Sequence, residues 1–135
     1  KGISLDKRWN PINQDNTGVN PEILNYLIPG SGFGGSCFPK DVKAISSVGR
    51  SLDYPMSILD AVLNVNHKQP AEVVELLRRK ISNLKDTKIL LLGIAFKEFS
   101  DDIRDSTSIK IIEYLIDYKS KITAHDPACI ENLKK

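Results

Sequence analysis

Cys37 sits inside "GSGFGGSCFPKD", residues 30–41. Pro39 follows two positions later, and a proline's missing N–H costs nothing in a first helical turn. A thiol at a helix start meets free backbone N–H groups and the positive end of the helix dipole. Both stabilise the thiolate, the nucleophilic form of sulfur. Lys40 adds a positive charge beside it, and Asp41 offers a base or a group that orients water. The glycines on the amino side let a ligand approach the backbone closely. The chemistry this suggests is covalent catalysis by sulfur. The competing reading is a structural cysteine buried beside a tight turn.

Other residues carry weaker signals. Gly30, Gly32 and Gly35 satisfy the spacing G-x-G-x-x-G. A dinucleotide fingerprint needs a strand directly before its first glycine. Here "LNYLIP" precedes it, so the loop is not read as a dinucleotide turn. Lys97 follows a strand–glycine turn, where a cation can meet a phosphate or simply face solvent. Arg104 can serve a ligand or pair with Asp101 or Asp102. Asp126 closes a strand, either as a ribose acid or, as preferred here, a turn cap before Pro127. Cys129 has no motif around it and is read as structural. His67 and His125 lack ligand spacing, so no metal site is expected. Without a C-x-x-C pair, a thiol redox protein is disfavoured.

The elements that must position these residues follow from pattern. "DKRWNPINQDNTGVNPE" reads as a long loop. A short helix follows, with Asn20 as cap and Pro21, Glu22 and Ile23 in its first turn; Pro29 and Gly30 end it. A helix from Pro39 carries Val42, Ile45, Val48 and Leu52 at helical spacing and stops at Asp53-Tyr54-Pro55. A longer helical pattern covers 57–84, with Ile58, Val62, Val65, Val73, Leu77, Ile81 and Leu84 in one stripe. Pro70 is expected to kink or split it near Gln69. The stripe implies a core or a partner helix, and a dimer contact is one reading. From residue 86 the pattern changes. "KILLLGIAF" reads as a buried strand, "DSTSIKIIEYLIDYK" as a helix with Ile109, Ile112, Leu115 and Ile116 inward, and "KITAHD" as a second strand. That is one βαβ unit with a parallel sheet.

The fold class expected is therefore α+β: a helical domain over 1–86, then a truncated Rossmann-like α/β unit over 87–135. The 135 residues are 41% hydrophobic and 27% charged, ordinary for a globular protein. A net charge of +2, with both signs interspersed, gives no argument for nucleic acid or a membrane surface. The longest apolar run, "ILLLGIAF", is far short of a membrane span. With no signal peptide visible, a cytoplasmic location with two free thiols is expected. The chain opens on Lys1 and its only methionine is Met56, so it reads as a piece of a longer protein.

The motifs carry a resemblance. "GSGFGGSCFPKD" resembles the active-site cysteine segment of the UDP-glucose/GDP-mannose dehydrogenase family. "LLGIAFKEFSDDIRDSTS", residues 91–108, resembles that family's nucleotide-sugar motif of G-x-A-F-K followed by D-D-x-R-x-S. "AHDP" is similar to its Tyr-Asp-Pro stretch, and "ISLDKR" to a segment whose arginine reaches a neighbouring subunit's substrate site. The motifs stand in family order along nearly the whole chain. Glu98 and Phe99 replace the family's common proline and aspartate. "GGSCFPKD" fits the UDP-glucose and GDP-mannose branches rather than the N-acetylhexosamine branch.

This resemblance implies an NAD-dependent nucleotide-sugar 6-dehydrogenase oxidising UDP-glucose, or a related UDP- or GDP-hexose, to the uronate for polysaccharide precursors. It implies a helical dimerisation domain, hence a homodimer. The NAD domain, with the family's proton-handling lysine and helper glutamate, would lie upstream of Lys1. Cys37 would be the nucleophile, with Asp41 assisting proton and water handling. Arg8, Gly32, Phe33, Gly34, Gly35, Phe96 and Lys97 would bind the sugar nucleotide, Arg8 from across the dimer. Lys40 and Arg104 would lie near NAD. The residues alone are expected to show no turnover. The alternative is a non-catalytic dimerisation or nucleotide-sugar-binding module.

Overall fold

The computed structural model describes residues 6–9, 12–19 and 21–129. The chain divides into two compact units, Lys1–Gly30 and Ser31–Lys135.

The first unit is short-range structure. A one-turn 3-10 helix covers Lys7–Trp9. A small loop closes through an antiparallel bridge between Ile12 and Gly18. Asp15 stiffens that loop by accepting from the Thr17 amide and hydroxyl, at 3.1 and 2.6 Å. The short helix expected here is a 3-10 helix, Glu22–Leu27. Asn20, its expected cap, lies outside the described residues, as do residues 3–5 of "ISLDKR".

The second unit holds the regular elements. Helix α1 is Phe38–Ser51, α2 is Ser57–Arg78, strand β1 is Lys88–Leu92, α3 is Thr107–Asp117 and β2 is Lys121–His125. The strands pair in parallel, Lys88 with Lys121 through Leu92 with His125. This is the expected βαβ unit, and the chain is α+β as its pattern implied.

The core lies between the carboxy-terminal half of α2, α3 and one face of the sheet. Val74, Leu84, Ile111 and Leu115 are buried there, with Val73, Leu77, Ile89, Leu91, Tyr114 and Ile122 packed around them. Burying each such aliphatic side chain contributes about 1.5–3 kcal/mol. The Arg78 guanidinium sits 5.0 Å from the Tyr118 ring centroid, which ties the end of α2 to the end of α3.

Several patterns resolve differently from the sequence. Helix α2 runs unbroken through Pro70, whose ring is buried, and ends at Arg78 rather than Leu84. Its forward stripe is uncovered: Ile58, Val62 and Val65 are exposed. On α1, too, Ile45, Val48 and Leu52 are exposed, and the buried face is Pro39, Ser46 and Gly49. Small residues win that face because the chain returns tightly against it. A Cβ on Gly49 would stand 2.7 Å from the Tyr54 carbonyl and 2.5 Å from the Met56 side chain. Ser46 donates to Asp60 of α2, which also receives Arg50 at 2.9 Å. In α3 the inward residues are Ile111 and Leu115, while Ile116 is exposed. Strand β1 alternates, and Leu90 and Leu92 face outward because helices cover only the opposite face.

The end of the βαβ unit is fastened by Asp126. This buried carboxylate accepts from the backbone amides of Ile94 (2.7 Å), Ala95 (3.1 Å), Ala128 (2.9 Å) and Cys129 (3.2 Å). It is therefore the turn cap. Those amides, Ile94 and Ala95 foremost, hold its pKa below the ordinary carboxylate value. A depressed folded pKa adds stability that is fully present above the unfolded carboxyl value of about 3.9. That stability drains away as pH falls toward the folded value. Asp126→Asn is expected to lower the melting temperature at pH 7 and to narrow its gap from wild type at pH 3. Parallel thermal melts at the two pH values check this. An unchanged gap would remove Asp126 from the acid response.

Candidate active site

The site is built where the glycine loop, residues 31–37, meets α1, α2 and the turn that follows β1. Cys37 is the N-cap residue of α1, and Pro39 stands in the first turn. The thiol is exposed. It caps no backbone amide with its side chain, and the Ser36 hydroxyl lies 3.7 Å from its sulfur. The Asp41 amide donates to the Cys37 carbonyl at 2.9 Å, closing the first helical turn. Asp41 therefore shares a helix face with Cys37, one turn along.

Two exposed cations, Lys40 and Arg104, flank the loop, each paired with its own carboxylate. Lys40 forms an ion pair with Asp41 and is exposed. Its pKa is raised, chiefly by the hydrogen bond and charge of Asp41 and in smaller part by the Cys37 sulfur. Arg104 reaches Asp102 through two guanidinium nitrogens, at 2.9, 3.1 and 2.7 Å. That pairing raises the Arg104 pKa, with a smaller contribution from Cys37, and holds Asp102 at about 2. Each cation is thus held in place by its own carboxylate partner.

The loop is packed against the turn after β1 by contacts that only glycine allows. A Cβ on Gly34 would overlap the Asp105 carbonyl oxygen and stand 3.2 Å from the Phe96 Cβ. A Cβ on Gly35 would stand 2.8 Å from the Phe96 ring, and Gly35 has a φ of +87°. The Gly35 amide donates to the Arg104 carbonyl at 2.8 Å. Upstream, the Ser31 and Thr107 hydroxyls share a hydrogen bond of 2.9 Å. Phe33 packs on Phe38, with ring centroids 5.9 Å apart. Lys97 lies 5.5 Å from the centroid of its neighbour Phe96.

Gly32, Phe33, Gly34, Gly35, Cys37, Phe96 and Arg104 thus come together in one place, with Lys97 beside Phe96. Arg8 belongs to the other unit, where its Nε donates to Asp6 Oδ1 at 3.0 Å and its Nη2 pairs with Asp6 Oδ2 at 2.5 Å. Cys129 is fully buried, and desolvation, followed by the nearby Asp126, raises its thiol pKa. It is structural, as read.

Sequence reasoning missed the supports. Asp105 adopts φ +50°, which turns its carbonyl onto Gly34. Its carboxylate stands 4.0 Å from Lys43 and 3.9 Å from Lys110, on the wall of a cleft of about 230 Å³ bordered by Phe33 and His67. Ser106 caps α3, donating to the Ile94 carbonyl at 2.6 Å and accepting from the Ser108 amide at 3.2 Å. Asn66 holds the Phe33 backbone in both directions, at 2.7 and 3.0 Å. One signal was available for Asn66: it is polar at helical spacing from Leu63, Pro70 and Val73 on the inward face of α2.

Comparison with known proteins places the chain. Residues 4–68 match the central domain of the UDP-glucose/GDP-mannose dehydrogenase family, and residues 90–135 match its UDP binding domain. The chain is 39% identical over 110 residues to UDP-glucose 6-dehydrogenase AglM of Haloferax volcanii, covering 82% of this chain and 25% of that protein. It is 37% identical over 136 residues to a UDP-glucose 6-dehydrogenase of Rickettsia bellii, covering all of this chain and 28% of that one. In structure it is similar to a UDP-glucose dehydrogenase from Pyrobaculum islandicum, with a TM-score of 0.81 and 34% identity. That match covers 98% of this chain and 28% of the other. The chain therefore spans about a quarter of the length of the relatives it matches.

Proposed function

We propose that this chain, which belongs to the UDP-glucose/GDP-mannose dehydrogenase family, supplies the nucleophile and part of the sugar-nucleotide surface of an NAD-dependent nucleotide-sugar 6-dehydrogenase. The observation that carries the reading is the exposed Cys37 thiol at the start of α1, on a glycine loop seated against Phe96 and Arg104. UDP-glucose is the substrate proposed, in keeping with the names of the relatives. Residues 1–86 would form the helical central domain and 87–135 the nucleotide-sugar domain.

The chemistry assigned to the chain's own residues is nucleophilic. The C6 alcohol is first oxidised to the aldehyde. The Cys37 sulfur adds to the aldehyde carbon, giving a thiohemiacetal whose oxygen takes up the proton. Its oxidation gives a thioester on Cys37. Water then attacks the carbonyl, the C–S bond breaks, and the uronate leaves with the thiol restored. NAD, when bound, accepts the hydride in each oxidation. Asp41, on the Cys37 face of α1, would orient the water. Gly32, Phe33, Gly34 and Gly35 would line the sugar, Phe96 and Lys97 would hold the nucleotide, and Arg8 would come from a partner copy. Towards NAD the chain offers two exposed cations, Lys40 and Arg104, suited to a pyrophosphate.

The exposed Ile45, Val48 and Leu52 of α1 and Ile58, Val62 and Val65 of α2 support a homodimer through the helical segment. They equally favour the second reading, a dimerisation and nucleotide-sugar-binding module without catalysis. No helix among the described residues is long and apolar enough to cross a membrane. A cytoplasmic place in polysaccharide-precursor synthesis is part of the proposal.

The test is alkylation of Cys37, followed by peptide mass mapping, with and without UDP-glucose. Protection of Cys37 is expected, without NADH formation by these residues alone. Absence of protection by UDP-glucose or GDP-mannose would overturn the substrate assignment.

A further inference from the structure

We propose that Asn66 is the positioning residue for the Cys37 loop, a role that rests on the dehydrogenase reading for its use but not for its test. The Asn66 carboxamide meets both polar groups of one residue. Its Oδ1 accepts from the Phe33 amide at 2.7 Å, and its Nδ2 donates to the Phe33 carbonyl at 3.0 Å. Only a group that accepts and donates side by side can do both. Asn66 is half-buried, so a lost partner is not simply replaced by bulk water.

The neighbours of Phe33 show why this grip matters. Gly32 has a φ of +117°, and a Cβ there would stand 2.7 Å from Asn66 Oδ1 and 3.1 Å from Thr107. Gly34 and Gly35 have no side chains with which to anchor themselves. Between Ser31 and Gly35, the only side-chain-to-backbone hold among the described hydrogen bonds is Asn66 on Phe33. It sits at the middle of a segment tethered outside by Ser31 to Thr107 and by Gly35 to the Arg104 carbonyl. The carboxamide comes from α2, near the turn with Pro70, which has no amide to donate to the Asn66 carbonyl. Asn66 thereby joins α2 to the loop whose far end carries Cys37 and whose Gly35 amide meets the Arg104 carbonyl.

The experiment compares wild type, Asn66→Ala and Asn66→Asp in the same chain. In N66A, amide exchange at Phe33 and Gly35 is expected to rise about five- to tenfold, the effect of losing one hydrogen bond. Cys37 alkylation at pH 7 is expected to change by at least about twofold as the loop that carries the thiol loosens and its access alters. Buried Cys129 is the internal control. If it stays unmodified, the fold is intact and the change belongs to the loop.

N66D carries the decision should N66A unfold. Its carboxyl can accept and donate like the amide only when protonated. Gly35 exchange, corrected for the intrinsic effect of pH, is therefore expected to match wild type below about pH 4 and to exceed it at pH 7. Exchange and alkylation equal to wild type in N66A, or no pH-dependent difference in N66D, would overturn the proposal. Failure of UDP-glucose to protect wild-type Cys37 would sink the dehydrogenase reading while leaving the Asn66 result intact.

Discussion

Replacing Cys37 with serine in the assembled dehydrogenase is expected to reduce uronate formation by up to about 10⁶-fold, the scale seen when a nucleophile is removed. In the proposed reaction sulfur captures the aldehyde, and a hydroxyl at the same place is a far weaker nucleophile at neutral pH. Nothing nearby substitutes for it. Ser36 already lies 3.7 Å away, but among the described residues its hydroxyl shows no carboxylate or imidazole partner. Cys129 is buried under the Asp126 turn. The loss should fall on the second oxidation, so aldehyde-level product is expected to appear in the variant. Uronate formation within tenfold of wild type would mean that the exposed thiol is not the nucleophile.

The second large effect is steric. Gly34→Ala places a methyl group into the Asp105 carbonyl oxygen, and backbone cannot swing aside as a flexible side chain can. Overpacking of this kind costs about 1–3 kcal/mol. The strain can be relieved only by parting the glycine loop from the turn after β1. That would break the hydrogen bond from the Gly35 amide to the Arg104 carbonyl and lift the loop from Phe96. The expected result is a lower melting temperature together with loss of sugar-nucleotide protection at Cys37. A variant that melts as wild type and stays protected would show that the loop has room to spare. Gly18, with nothing within 4 Å of its Cβ position, is a glycine where alanine meets no such wall.

What could be read from sequence divides along a physical line. Local rules located α1 by Pro39, the βαβ unit by its apolar runs and the Asp126 cap by its place before Pro127. They erred wherever the decision depended on what packs opposite. Ile45, Val48 and Leu52 have helical spacing, yet Gly49 and Ser46 take the buried face because the chain folds back against them. Leu90 and Leu92 read as buried, but no helix among the described residues covers their face of the strand pair. The same limit applied to the site. Cys37 stands out locally as a thiol at a helix start and Arg104 as a cation beside two acids, whereas Phe96 stands out only through a motif that resembles a family. Asn66 and Thr107 act on backbone and hydroxyl partners far away in sequence, and no local spacing encodes those meetings.

The order of residues along the chain has a consequence for its synthesis. Cys37 leaves the ribosome before Asn66, Phe96, Arg104 and Thr107, every group that seats its loop. Strand β1 likewise emerges before α3 and β2, so its pairing edge has no partner until the later strand arrives. At translation speeds of about 5–20 residues per second, the nascent chain spends several seconds with its thiol exposed and its loop unheld. During that interval the cysteine is an ordinary free sulfhydryl, open to oxidants and electrophiles in the surrounding solution. Maturation of the site is therefore a timed event, completed only when the segment through Thr107 has been made.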